Sequence, residues 1–143
     1  MTFSKIKIQA VKEENYKYNS RIISSATDVV KIVNEIEELE KATEEIIILV
    51  CLNQKNQILG FSEVAKGTLN TCYLDLKSIF KIALSCNSTK IILIHNHPSE
   101  MAQPSKCDYD VTKKLKEACK IMDFQLLDHI VIGGNQFVSC MTE

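Results

Sequence analysis

The sequence predicts a single α/β domain in three layers, with helices flanking a mixed β-sheet. Runs of β-branched residues alternate along the chain with segments of helical periodicity, and no linker-like stretch divides them. A chain of 143 residues with 45% hydrophobic content suits one core. We therefore expect residues 1–143 to form one domain, in which residues 1–21 are an N-terminal strand and loop extension.

The N-terminal part of the chain is expected to hold an edge strand, a loop and a helix. Residues 4–10 alternate weakly between apolar and polar side chains, as an edge strand does, and residues 12–22 are polar enough for a loop. Ser25 and Asp28 have the spacing of a capping box, and apolar residues then recur at helical intervals as far as Leu39.

A buried strand and a hairpin are predicted next. The stretch EEIIILVCLN (44–53) is a β-branched run, typical of a strand buried on both faces. A polar turn joins it to ILGFSEVAK (58–66), so the two strands are expected to pair as a hairpin that Gly67 closes.

The second half of the chain alternates helices and strands. Apolar spacing predicts helices within residues 76–84 and 111–122, and KIILI (90–94) predicts a buried strand between them. FQLLDHIVIGG (124–134) and QFVSC (136–140) indicate a terminal hairpin that turns at two glycines.

Charge and cysteine usage limit the class of function. Seventeen basic and eighteen acidic residues give a net charge of −1, so no overall positive field attracts a phosphate backbone and nucleic-acid binding is disfavoured. The six cysteines form no C-x-x-C pair and show no disulfide-like spacing, and the chain opens without a secretory signal. No apolar segment approaches the roughly 20 residues that span a bilayer. We expect a soluble protein of a reducing cytoplasm.

The stretch HNHPSEMAQPSKCD (95–108) contains candidate metal ligands. His95 and His97 are two residues apart at the end of a strand, so both imidazoles can reach one cation. Asp108, at the start of the next helix, could complete a His-His-Asp set around zinc. Three protein ligands with a fourth position left for water are typical of a catalytic zinc site.

A structural alternative exists for the end of this stretch. Ser105 and Asp108 also have capping-box spacing, which needs no metal. That alternative does not account for the histidines, nor for Pro98 and Pro104, which stiffen the loop at both ends. The combined pattern favours a metal site.

A zinc-activated water would need a general base from another part of the chain. A carboxylate at the start of an apolar strand is the strongest candidate, but strand alternation cannot choose between Glu44 and Glu45, because both faces of that strand are apolar. Both could instead be solvated residues at a strand end. The complete set of candidates is Glu44, Glu45, Glu63 and Glu100.

The arrangement E…H-x-H-x7-S-x2-D resembles the JAMM (MPN+) metalloprotease motif. Glu45, His95, His97, Ser105 and Asp108 match it in order. More narrowly, HNHPS…PSKCDYDVTKKLKEA…LLDHIVIGG is similar to the RadC-like branch of the JAB-domain superfamily, and the similarity extends from about residue 22 to residue 139.

This resemblance implies a JAB/MPN-like (cytidine-deaminase-like) fold and a zinc-dependent hydrolase of peptide or isopeptide bonds. His95, His97 and Asp108 would be the zinc ligands. Glu45 would take a proton from the attacking water and pass it to the leaving amine, and Ser105 would donate a hydrogen bond to the oxyanion. The protein partner implied is a peptide or isopeptide-linked substrate.

The chain departs from the family pattern at Glu100, where members usually have glycine. If that position needs a positive φ, glutamate is strained there, unless the loop has changed course. His129 receives no role in the metal site, Asp110 is a substitute ligand, and Cys107 is expected to be a neighbour of the site.

Two alternative functions stay open at this stage. One is a JAB-like binding module without turnover, and the other is a factor associated with DNA repair or mobile elements. The charge balance does not support the second, and only residues 1–21 precede the similarity, so DNA contacts attributed to the helix-hairpin-helix region of longer members are not transferred.

Overall fold

Five strands form one mixed sheet in the computed structural model, which describes residues 1–19, 24–67 and 74–141. The strands are β1 (Glu45–Leu52), β2 (Ile58–Gly67), β3 (Lys90–Asn96), β4 (Gln125–Gly133) and β5 (Gln136–Ser139). Their order across the sheet is β2-β1-β3-β4-β5. β3 and β4 are parallel, and the other neighbouring pairs are antiparallel.

Helices cover both faces of this sheet. The helices are α1 (Ala26–Glu37), α2 (Leu76–Ser85) and α3 (Lys106–Ile121), with a short 3₁₀ turn at Leu39–Lys41 after α1. α1 and the 3₁₀ turn pack on one face, and α2 and α3 pack on the other. The predicted three-layer α/β architecture with a mixed sheet is therefore confirmed.

The centre of the sheet is buried on both sides, as the β-branched runs predicted. In β1, Ile48, Val50 and Leu52 face α1, while Ile47, Leu49 and Cys51 face α2 and α3. β1 and β2 pair as the predicted hairpin, and β4 and β5 form the terminal one.

The helix starts follow their capping residues. At α1, the Ser25 hydroxyl accepts from Asp28 N–H at 3.4 Å, and Asp28 Oδ2 accepts from Ser25 N–H at 3.1 Å, so the predicted capping box is formed. α3 begins at Lys106, five residues before the apolar pattern that predicted it. The first turn of α3 consists mainly of polar residues, so apolar spacing alone does not reveal it.

The predicted edge strand at residues 4–10 is wrong. Residues 1–19 contain no strand or helix, and the side chains of Phe3, Ile6 and Ile8 are exposed. A strand is stabilised by a neighbour that accepts its hydrogen bonds, and alternation alone does not provide one. Residues 12–19 lack regular structure, as predicted, and residues 20–22 of that loop lie outside the described residues.

No helix in the described ranges is long and apolar enough to cross a bilayer.

Candidate metal centre

His95 and His97 bring their imidazoles together at the end of β3. His95 is buried and pairs with Ile47 of β1 on one side and Val131 of β4 on the other. His97 follows the last residue of the strand, and its N–H donates to the carbonyl of Ile132 at 2.7 Å. The two Nε2 atoms lie 3.1 Å apart, so a single cation could contact both.

Asp108 reaches both imidazoles from the first turn of α3. Its Oδ1 lies 3.2 Å from Nε2 of His95, and its Oδ2 lies 3.2 Å from Nε2 of His97. The same carboxylate accepts from Ser105 N–H at 2.7 Å, while the Ser105 hydroxyl accepts from Asp108 N–H at 3.1 Å. The capping box and the histidine contacts, which the sequence offered as alternatives, are thus made by one side chain at the same time.

Glu45 supplies the fourth group from the first residue of β1. It shares a strand face with Ile47, the partner of His95, so its side chain points toward the histidines. Its Oε1 lies 4.0 Å from Nε2 of His95 and is buried without a hydrogen-bond partner. One possible ligand atom from each of Glu45, His95 and His97 lies within 4.8 Å of the others, and among the described residues this is the group able to hold a metal ion. Asp108 is not part of this group, but its carboxylate contacts both imidazoles.

The other candidate carboxylates lie elsewhere. Glu44, Glu63 and Glu100 are exposed and do not belong to the group of ligand atoms found in the described part of the chain. Asp110, the substitute ligand, is exposed on α3 and is also absent from that group. Cys107 takes part in a disulfide bond, so its sulfur is not available as a thiolate ligand.

The cysteines only partly match the expectation of reduced thiols. Four of those in the described part of the chain are free, namely Cys51, Cys86, Cys119 and Cys140, and Cys72 lies outside the described residues. The expectation is wrong for Cys107, which is disulfide-bonded. Linear spacing could not reveal this, because pairing depends on which sulfurs the fold brings within bonding distance.

Asn96 holds the backbone on both sides of Glu45 in place, a role that the sequence did not predict. Its side-chain oxygen accepts from Ile46 N–H at 2.7 Å, and its amide donates to the carbonyl of Glu44 at 2.9 Å. These two groups flank Glu45 on the backbone. Its position between His95 and His97 was the one available signal for such a role. A side-chain amide that is buried there needs hydrogen-bond partners.

The loop after β3 orients His97. Nδ1 of His97 lies 2.8 Å from the carbonyl oxygen of Met101 and must donate to it, because that oxygen can only accept. Nε2 of the neutral ring is then a free acceptor. A Cβ on Gly133 would lie 2.6 Å from Cα of Ala102, so this loop can approach β4 only because residue 133 is glycine.

Glu100 adopts the backbone conformation that the family's glycine would favour. Its φ is 65°, in the left-handed region, and its N–H donates to the carbonyl of His97 at 3.0 Å. Residue 100 thus has a positive φ in this chain, and glutamate is strained there.

His129 contacts the metal centre, although the sequence assigned it no role there. It is buried in β4, and its Nε2 lies 2.9 Å from Nδ1 of His95. Its Nδ1 lies 2.6 Å from the hydroxyl of Thr112 on α3. The string LLDH carried no local signal for this contact, because the partners are 34 residues apart in the chain.

The electrostatics favour a positive charge between the carboxylate and the imidazoles. Burial opposes ionisation of Asp108, but the imidazoles of His95 and His97 outweigh it and hold the pKa of Asp108 well below its usual range. Asp108 in turn raises the pKa of His97. Burial raises the pKa of Glu45 and lowers the pKa of His129 to about 3. Glu45 consequently holds a proton more readily than an ordinary glutamate.

The sequence is similar to proteins of one family. A sequence profile of the RadC-like JAB domain matches residues 23–143. A UPF0758 protein of Clostridium botulinum is 44% identical over 117 residues, covering 82% of this chain and 50% of that protein. A UPF0758 protein of Desulfitobacterium hafniense is 38% identical, and the match covers 82% of this chain and 51% of that protein. A UPF0758 protein of Staphylococcus haemolyticus is 36% identical, and the match covers 88% of this chain and 55% of that protein. The chain thus spans about half the length of the curated relatives it matches. It belongs to the RadC-like JAB domain family.

Proposed function

We propose that this domain is a zinc-dependent hydrolase that cleaves a peptide or isopeptide bond. One observation carries the proposal: nitrogen and oxygen atoms that can bind a metal ion converge on one point. They are Nε2 of His95, Nε2 of His97, the carboxylate of Asp108 and the unpartnered Oε1 of Glu45. Buried acceptors that face one another are unfavourable unless a proton or a metal ion lies among them, and a metal ion can contact all of them at once.

The spacing of these atoms suits zinc. A tetrahedral zinc with bonds of about 2.0–2.1 Å separates its ligand atoms by about 3.3–3.4 Å. The two Nε2 atoms of His95 and His97 lie 3.1 Å apart, and each lies 3.2 Å from a different carboxylate oxygen of Asp108. Two imidazoles and one carboxylate form a donor set common in catalytic zinc sites. His95, His97 and Asp108 would hold the ion.

Glu45 would act as the acid and base. Zinc in such a site acidifies water to a pKa of about 7 and polarises a carbonyl. Glu45, whose Oε1 makes no hydrogen bond, can accept a proton from the attacking water and deliver it to the leaving nitrogen. Its raised pKa brings it closer to neutral pH, where a group that must both accept and release a proton works best.

Ser105 would stabilise the oxyanion. Its hydroxyl oxygen accepts from Asp108 N–H, which leaves the hydroxyl hydrogen able to donate to a bound substrate. Ser105 is exposed at the N-terminus of α3, where the helix dipole also favours negative charge. Capping and oxyanion binding are therefore compatible roles for one side chain.

The first test is elemental analysis of purified protein, followed by assays on a panel of peptide and isopeptide substrates. Near-stoichiometric zinc with cleavage is expected. Zinc well below stoichiometry after metal-replete expression would count against the metal centre. Zinc-loaded protein that cleaves nothing in the panel would favour the binding module, and tight binding to duplex DNA at physiological salt would favour the DNA-associated factor.

A matched pair of variants tests the acid and base. Glu45→Gln should keep zinc and lose hydrolysis by at least about 100-fold, the lower range for general acid–base catalysis. Glu44→Gln makes the same change one residue away, on an exposed side chain, and should leave both properties near wild type. Retained hydrolysis in Glu45→Gln would show that another group carries the proton.

A further inference from the structure

His129 lies behind His95, on the side away from the other ligand candidates. It pairs with Leu93 across β3 and β4, and only 2% of its surface is exposed. Each of its ring nitrogens has one close partner, Nδ1 of His95 at 2.9 Å and the Thr112 hydroxyl at 2.6 Å. A buried imidazole with both nitrogens engaged has a defined hydrogen-bond direction.

The Thr112 hydroxyl sets that direction. It has one hydrogen, which it donates to the backbone carbonyl of Asp108 at 2.7 Å, since a carbonyl oxygen can only accept. Toward His129 the hydroxyl oxygen can therefore only accept, so Nδ1 of His129 carries the hydrogen.

The same logic fixes His95. Both nitrogens of the buried His129 ring face uncharged groups, and a charged ring there would be unpaired, so the ring is neutral. Its Nε2 then lacks a hydrogen and accepts from Nδ1–H of His95. With its hydrogen directed to His129, the His95 ring can present a bare Nε2, the nitrogen that faces Asp108 and His97, to a metal ion.

We propose that His129, held by Thr112, is a positioning residue that fixes the tautomer and ring orientation of His95 for metal binding. The proposal rests on the proposed function and deepens it. The chain of hydrogen bonds starts at the main-chain carbonyl of Asp108 and ends at the imidazole that contacts the Asp108 carboxylate. It therefore links α3, β4 and β3 in a closed ring that holds two ligand candidates in fixed relation.

Zinc affinity of two Thr112 variants, measured against a competing chelator, tests this role. Thr112→Val keeps the shape and removes the hydroxyl, so His129 loses the partner that fixes its tautomer. Zinc should bind about 10- to 100-fold more weakly, the usual effect of losing such an outer partner. Thr112→Ser keeps the hydroxyl and should bind within a few-fold of wild type. Equal affinities for the valine and serine variants would overturn the proposal.

His129 variants separate positioning from packing. His129→Leu fills the buried space without an acceptor, whereas His129→Gln offers an oxygen near the position of Nε2. His129→Gln should bind zinc more tightly than His129→Leu. This order is expected even if metal-free His129→Leu is the more stable protein of the two. Zinc affinities that simply follow thermal stability would indicate a packing role and overturn the proposal.

Imidazole nitrogen chemical shifts of the metal-free protein provide a test that needs no metal. They should show the hydrogen on Nδ1 in both His95 and His129. A hydrogen found only on Nε2 of His95 would overturn the proposal. Wild-type protein that has the expected tautomers but binds no zinc would refute the proposed function and leave the hydrogen-bond chain intact, so the two failures are distinguishable.

Discussion

Replacing Glu100 by glycine should stabilise the protein, although it removes a whole side chain. Residue 100 has a φ of 65°, which costs a residue with a Cβ about 1–2 kcal/mol. Glycine avoids this strain but adds backbone freedom to the unfolded chain, which costs about 0.5–1 kcal/mol. The Glu100 side chain is exposed and makes no hydrogen bond or ion pair among the described contacts. The net gain expected is about 0.5–1 kcal/mol, from the difference between these two effects.

Thermal and denaturant unfolding of metal-free protein measure this gain. For a chain of this length the melting temperature should rise by about 2–4 °C. Glu100→Ala is the matched control, since it removes the carboxylate and keeps the Cβ that causes the strain, and it should not share the gain. Glu117→Gly applies the same replacement to an exposed position inside α3 and should lower stability by about 1 kcal/mol.

The strain argument would be refuted if the melting temperature of Glu100→Gly were no higher than that of Glu100→Ala. Zinc affinity provides a second check. The backbone contact of residue 100 with His97 does not involve the side chain, and neither does the carbonyl of Met101 that orients the His97 ring. Glu100→Gly should accordingly bind zinc within a few-fold of wild type.

Three further predictions concern the surroundings of the site. Asn96→Leu removes both hydrogen bonds to the start of β1 and should cost about 1–3 kcal/mol in denaturant unfolding, with hydrolysis reduced more than zinc content. Gly133→Ala forces its Cβ into the backbone of Ala102 and should cost about 1–3 kcal/mol, whereas Gly60→Ala, with nothing within 4 Å, serves as the tolerated control. Below pH 6.5 the unfolded chain protonates His129, while the fold keeps it neutral down to about pH 3. The free energy of unfolding should therefore decrease as the pH is lowered from 6.5 to about 3, and it should decrease less steeply in His129→Gln.

Local patterns were sufficient for most of the fold. The β-branched runs predicted the central strands, and capping residues such as Ser25 marked helix starts, because burial on both faces and caps depend on neighbours in the chain. Residues 4–10 show where this reasoning ends. Their alternation has the period of a strand, but a strand also needs a partner, and residues 1–19 pair with none of the described strands.

The candidate site was predictable where its residues lie close in sequence. His95, His97 and Asp108 share one strand–loop–helix segment, and its stiff loop brings them together. The choice of Glu45 over Glu44 was not accessible from alternation, because it depends on pairing of β1 with β3. Asn96 and His129 act through contacts 50 and 34 residues distant, which no local pattern encodes.

Hydrogen-bond acceptors converge at one end of the sheet. The unpartnered oxygen of Glu45 lies there, beside the contacts that Asp108 makes with His95 and His97. Asn96 and Gly133, by contrast, make contacts that hold this arrangement in place. A fold selected for stability alone would separate these acceptors, so their convergence is best explained by a ligand that binds among them. A cation bound among these acceptors would stabilise the fold, because it binds the native arrangement and has no such site in the unfolded chain.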